Sequence, residues 1–224
     1  MGHSFLSLLS RMGPASLVAT DEQAMWRVKM NDDPQAFARL VERWEKPIQR
    51  LCTRMTGSSH QGEDLAQETF TRLFTRRKSY EPSGRFSTFL WRIALNLCYD
   101  ELRKTNRRRE FFLDETDRGL ADGPDEFITE EPAPDHVLAD RERAATVRRA
   151  LLELAEPYRV VVVLRHYEGL KFRQIADVLA IPEGTVKSRM VEALNQLNRL
   201  LSHTLQEGEI CKTQTKKPKA SLAI

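Results

Sequence analysis

The chain has 224 residues, is 41% hydrophobic and 30% charged, and carries a formal net charge of +3; these values suit one or two soluble domains. No apolar run approaches the roughly 18 residues of a membrane span. Cys52, Cys98 and Cys211 are too far apart for a disulfide framework and lack histidines at metal-ligand spacing, so they read as core thiols in a reducing compartment and no zinc or other cofactor is expected.

Charge is distributed in three blocks. Residues 1–109 hold 19 basic and 12 acidic side chains (+7), residues 110–140 hold 1 and 11 (−10), and residues 141–224 hold 15 and 9 (+6). Two basic units separated by an acidic strap make a domain map.

In chain order, residues 1–21 open with apolar pieces but no charged n-region or long apolar core, so they read as a mobile extension rather than a signal peptide. The first unit, 22–109, shows at least three helices. Asp33 is placed to cap the first, with Pro34 at a position where its missing N–H costs nothing. Phe37, Leu40, Val41 and Trp44 follow as a core stripe, and Pro47 is expected to kink or restart the helix. In "GEDLAQETFTRLFTRRK" one face carries Leu65, Ala66, Thr69, Phe70 and Leu73, while Asp64, Gln67, Glu68 and Thr71 line the other. After a polar loop, "SYEPSGR", a third helix near Phe86–Arg103 is expected to bury Phe86, Phe89, Leu90, Ile93 and Leu97. It leaves Arg92, Asn96, Tyr99 and Arg103 on a separate stripe.

The strap, 110–140, is rich in Gly, Pro and acidic residues and reads as a flexible linker. Two readings of it stand: a solvated spacer, or a nucleic-acid mimic that lies in a partner's basic channel. The second unit, 141–203, begins with two helices broken near Pro157, and the run Val160–Leu164 is expected to be helical despite its β-branched content. Then comes "GLKFRQIADVLAIPEGTVKSRMVEALNQL", with the shape of a helix-turn-helix. Ile175, Val178 and Leu179 pack its first helix; Pro182 opens the second, where Gly184 and Thr185 keep the first turn slim. Val186, Met190, Ala193, Leu194, Leu197, Leu200 and Leu201 form an apolar arc on that helix, with Lys187, Ser188, Val191, Glu192 and Asn195 opposite. Small and basic residues at the start of a recognition helix are what base edges and phosphates require. The basic tail, 204–224, is expected to be disordered.

"EDLAQETF" (63–70), "FSTFLWRIALNLCYDELR" (86–103) and "EPYRVVVVLRHYEGLKFRQIADVLAIPEGTVKSR" (156–189), in this order around an acidic linker, resemble the extracytoplasmic-function (ECF) sigma factors of the sigma-70 family, short bacterial transcription-initiation subunits. The similarity covers about Asp32 to Leu201. It implies an all-α chain of two small helical domains, region 2 and region 4, joined by the flexible acidic linker. It implies core RNA polymerase (β′ clamp helices and β subunit) and promoter DNA as partners, an anti-sigma factor or other regulator, and a cytoplasmic location. Asp64, Leu65, Gln67, Glu68 and Thr71 would bind polymerase, the acidic row suiting a basic clamp. Tyr80, Arg85, Phe86, Ser87, Trp91, Arg92, Asn96 and Arg103 would melt and hold the −10 element, since exposed aromatics and Arg suit single-strand capture; Trp91 fits a core position equally well. Arg173, Thr185, Lys187, Ser188, Arg189, Val191 and Glu192 would read the −35 element.

Some positions depart from the family pattern. Ala180 stands where a turn glycine is frequent, Lys171 where a serine often caps the first helix, and Glu192 and Leu194 where the recognition helix is often basic. These bear on which −35 sequence is read. The competing reading is a stand-alone helix-turn-helix regulator, which accounts for residues 156–201 but gives "EDLAQETF" no task. An enzyme finds no phosphate loop, metal cluster or nucleophile constellation to support it.

Overall fold

The computed structural model describes residues 20–81, 84–113 and 135–214. Among them every regular element is helical. The expectations for the N-terminal extension, the middle of the acidic strap and the end of the tail lie outside the described residues.

The first half comprises α1 (Asp21–Asn31), α2 (Pro34–Thr56), α3 (Ser59–Thr75), a 3-10 turn (Arg77–Ser79) and α4 (Phe86–Leu113). Local chemistry fixes the helix ends. Thr20 and Gln23 form a reciprocal capping box at the start of α1. Asp33 Oδ1 accepts from the amides of Gln35 at 2.9 Å and Ala36 at 3.1 Å, with Pro34 as the first helical residue. At the other end of α2, Gly57 takes φ +86° and donates its N–H to the Thr53 carbonyl at 2.8 Å. Ser58 then caps α3.

The second half comprises α5 (Asp135–Glu153), α6 (Glu156–Val162), a π turn (Val163–Tyr167), α7 (Phe172–Leu179) and α8 (Glu183–Gln214). Pro157 sits in the first turn of α6, as the break near it foretold. The Val160–Leu164 run is helical and buried, then widens so that Glu168 N–H reaches the Val163 carbonyl at 3.2 Å. α7 ends on Ala180, a non-glycine residue at φ +53°.

The buried side chains of both halves form one contiguous cluster. The C-terminal end of α2 and one side of α4 in the first half meet α5, α6, the π turn and α7 in the second.

The helices flanking the acidic strap reach into its expected bounds of 110–140, α4 to Leu113 and α5 from Asp135. Two expectations need correction. α2 does not restart at Pro47 but runs unbroken through it, because a 23-residue helix with a strong apolar face is held by packing over its whole length. Leu194 leaves the apolar arc of α8 and is 46% exposed, since only Val186, Met190 and Ala193 on that arc are fully buried.

Candidate nucleic-acid interface

α3 divides its residues as the helical period dictates. Leu65, Ala66, Thr69, Phe70 and Leu73 are buried, while Asp64, Gln67 and Thr71 are exposed and Glu68 is half-buried. Leu65, expected on the apolar face as well as among the polymerase-binding residues, is 9% exposed, on the core side of the helix. Asp64 lies 3.2 Å from His60 Nδ1 and Glu68 pairs with Arg72 at 2.8 Å, each one helical turn away. Such surface pairs hold little energy and yield readily to a partner. Beside them a groove of about 490 Å³ opens between α2 and α3, lined by Phe37, Val41, Phe70 and Phe74 with Gln67 and Thr71 at its rim.

α4 presents a different arrangement from the one expected. Tyr80, Phe86 and Trp91 were assigned to strand capture, although the helical pattern also placed Phe86 in the core and left Trp91 open to a core position; they are 1%, 0% and 3% exposed. The reason is Trp44 of α2, whose ring meets Trp91 at 5.6 Å and Phe86 at 6.0 Å, both edge-to-face. Tyr80 stacks in the same cluster against Phe86 and Phe89, and burial pushes its phenol up to about 12. Of the other residues expected here, Arg92, Asn96 and Arg103 of α4 and Arg85 just before it are exposed, with Ser87 half-buried. Tyr99 is half-buried at the meeting of the two halves; its phenol rises to about 12, chiefly by burial and then by Glu156, with Arg189 and Arg103 opposing.

The helix-turn-helix is formed by α7 and α8. Ile175 and Val178 pack α7 onto the buried face of α8. On α8, Lys187, Ser188 and Val191 are exposed, Val191 at 60%. Lys187 Nζ rests 2.8 Å from Glu183, and the Ser188 hydroxyl donates to the Thr185 carbonyl at 3.0 Å. Glu192 accepts from Gln196 at 2.8 Å and so points along its own helix. Thr185 and Arg189 are half-buried, and Arg173 is exposed on α7. Lys171 supplies no side-chain cap to α7; the Gln174 side chain accepts the Lys171 N–H at 2.9 Å instead.

Arginines join the halves. Arg92 Nε donates to the carbonyls of Asp177 at 3.1 Å and Val178 at 3.3 Å, at the C-terminus of α7, and its Nη2 also meets Asp177. Arg159, 8% exposed, donates to the Met55 carbonyl at the end of α2 and to the Leu154 carbonyl at 2.9 Å. Arg54 lies over the Tyr167 ring at 4.2 Å and 3.6 Å from Glu168. Burial raises the Glu168 carboxyl above its ordinary value even though Arg54 and Arg50 favour its charge, and burial likewise lowers Arg54 and Arg159. The ion pair is too long for a hydrogen bond: Arg54 Nη1 and Glu168 Oε1 are buried without a hydrogen-bond partner, as is Arg159 Nε.

Sequence reasoning missed α1 and its duties. Glu22 accepts the first N–H of α4, from Phe86, at 3.2 Å, and Lys29 donates to the Tyr80 carbonyl at 2.6 Å. Trp44 Nε1 donates to Asp21 at 3.1 Å. The capping residues Thr20 and Gln23 were the available signal. Among the described residues no cluster of His, Cys, Asp or Glu is placed to hold a metal, and no helix is long and apolar enough to cross a membrane.

Known proteins carry the same arrangement. The family model described as Sigma-70 region 2 matches residues 40–108, and that described as Sigma-70, region 4 matches residues 144–197. The ECF RNA polymerase sigma factor SigW of Bacillus subtilis is 33% identical over 171 residues, covering 75% of this chain and 90% of its own. The RNA polymerase sigma-H factor of Pseudomonas aeruginosa is 30% identical over 189 residues, covering 84% and 97%. Among solved structures, CnrH in complex with the cytosolic domain of CnrY superposes with a TM-score of 0.61 at 22% identity, over 82% of this chain and 97% of that one, which speaks to the fold. The sigma factor RpoE of Bartonella quintana, in complex with the anti-sigma factor NepR, does so at 0.57 and 21% identity, over 75% and 98%.

Proposed function

The chain belongs to the ECF sigma factors of the sigma-70 family, and from that premise we propose how its surfaces divide the work of promoter recognition. The exposed row Asp64, Gln67, Glu68 and Thr71 on α3 binds the β′ clamp helices of core polymerase, and the groove beside it receives apolar side chains of that partner. Leu65 acts beneath, holding the row in place. Arg85, Ser87, Arg92, Asn96 and Arg103 grip the unwound −10 strand, chiefly through phosphate, while Tyr80, Phe86 and Trp91 stiffen the helix that carries them. Arg173, Thr185, Lys187, Ser188, Arg189, Val191 and Glu192 form the −35 surface.

One observation carries this reading. α8 buries Val186, Met190 and Ala193 and turns Lys187, Ser188 and Val191 outward at its N-terminal end, the geometry that a major groove accepts. The work is binding and strand separation, without bond-making chemistry, and it takes place in the cytoplasm. Residues 22–109 and 141–203 are the two functional units. One structural neighbour is held with an anti-sigma factor, and an anti-sigma protein is the regulator we assign here. A stand-alone DNA-binding regulator would leave the acidic row of α3 unused. Co-purification with core polymerase and run-off transcription from a genomic promoter pool test the proposal; absence of both would refute it.

A further inference from the structure

Ahead of α1 the sequence carries the marks of a short helix that no role above has absorbed. Ser4 is an N-cap residue, Phe5, Leu8, Leu9 and Met12 follow at i, i+3, i+4 and i+7, and Gly13–Pro14 ends the pattern. Ser7, Ser10 and Arg11 fall on the opposite side. So short a helix does not stand alone in water, and the stripe needs an apolar surface to form against. The described residues offer one in the groove between α2 and α3. Phe37 and Phe74 meet there edge-to-face at 5.2 Å, beside Val41 and Phe70, and Phe74 is left 36% exposed.

We propose that residues 5–12 dock as an amphipathic helix in the groove between α2 and α3 of their own chain. Apolar anchors at this spacing are what a hydrophobic groove selects. Charge favours this occupant: residues 1–20 hold Arg11 and His3 and no acidic side chain, while Glu45 and Glu63 line the groove. Reach allows it. Asp21, at the start of α1, meets Arg43 at 3.1 Å and Trp44 at 3.1 Å. Those two residues lie along α2 between Val41 and Glu45 of the groove wall. The segment from Gly13 to Thr20 spans up to about 26 Å when extended, against a helix diameter of about 10–12 Å to be crossed. The groove is also where the reading above places apolar side chains of polymerase, so on that reading the segment and polymerase compete for it. The docking does not depend on that reading; the competition does.

Cross-linking in the full chain tests this. In a Cys211→Ser background, Ser10→Cys is paired with Thr75→Cys, an exposed groove residue, or with Asn198→Cys, exposed on α8, as the control. Cys52 and Cys98 are 0% exposed and escape a short bismaleimide. Mass spectrometry should find the groove link within one chain and the control link absent or much rarer. Phe5→Asp with Leu9→Asp should abolish the groove link. Arg11→Glu should weaken it several-fold, and Glu45→Lys with Glu63→Lys in the same chain should restore it. A groove link no more frequent than the control, a link found only between two copies, or one indifferent to Phe5→Asp with Leu9→Asp would each overturn the docking. Saturating core polymerase should remove the groove link. If the segment fills the groove about nine-tenths of the time, the Phe5→Asp, Leu9→Asp chain should bind core polymerase at about tenfold lower concentration. A link that persists in the polymerase complex, with no gain in binding, would uphold the docking and refute polymerase's use of the groove.

Discussion

Gly62 crosses Thr53 so closely that a Cβ on Gly62 would lie 2.0 Å from Thr53 Oγ1 and 2.9 Å from its amide nitrogen. This contact sets the crossing of α2 and α3, and with it the direction in which Asp64 and Gln67 face. Thr53 cannot swing away, because its hydroxyl donates to the Gln49 carbonyl at 2.8 Å. Gly62→Ala should therefore destabilise the chain by about 3 kcal/mol, the upper part of the overpacking range. Urea unfolding measures it; a wild-type midpoint would mean that the helices slide apart at no cost.

The polymerase row should separate from stability. Asp64→Arg and Gln67→Ala alter exposed positions opposite the buried Leu65–Leu73 stripe, and surface changes of this kind stay within about 0.5 kcal/mol. Both should weaken co-purification with core polymerase at an unchanged melting temperature. A lowered melting temperature would place the core on the wrong face of α3.

Trp91 occupies a core position. Buried between α2 and α4 with Trp44 edge-on, Trp91→Ala should cost about 3–5 kcal/mol of stability. Retained stability with lost −10 strand binding would return the ring to the capture role.

Lys187 leans on Glu183 at 2.8 Å but remains exposed. Lys187→Ala should cost about 1–3 kcal/mol of promoter binding and relax preference at one −35 position if the ammonium reads a base. If it meets phosphate alone, binding should weaken evenly across sequences and the salt slope should fall by about one. A randomised −35 library at two salt concentrations distinguishes these, and a mutant matching wild type in both removes Lys187 from the surface.

The pH dependence at Glu168 should run against habit. Burial raises its folded pKa despite Arg54 and Arg50, the charged groups that face it. A raised folded pKa contributes stability that is complete below the unfolded value and is lost as pH climbs through the folded value. Wild type should thus gain on Glu168→Gln as solutions are acidified from neutrality toward the ordinary carboxylate range. Denaturation of the two proteins at a series of pH values gives the difference; wild type losing ground on acidification would show that the arginines outweigh burial.

Local patterns were legible where one helix decides the outcome. The Asp33–Pro34 cap, the Leu65–Leu73 stripe and the outward Lys187–Ser188 pair follow from periodicity and capping chemistry alone. Leu65 faces inward as that stripe expects, because adjacent residues on a helix are 100° apart and its neighbour Asp64 takes the outer side. Burial of Phe86 was expected from the same kind of pattern, but that of Trp91 was left open, since it depends on Trp44 arriving from another helix. Arg159 reads as an ordinary surface cation until folding brings the Met55 carbonyl to it across 104 positions. Contacts at that separation leave no trace in any window of sequence.

The π turn at Val163–Tyr167 carries a genetic implication. A π turn is an α-helix that has absorbed one surplus residue, and here it ends at Tyr167, beside Glu168, both of which reach Arg54. Deleting a single codon here would let the segment close as regular α with the following residues nearly in register, whereas the same deletion inside a regular helix would rotate everything beyond it by about 100°. Relatives that lack the surplus residue should align with a one-position gap in this segment and keep the aromatic–acid pair with the arginine it meets.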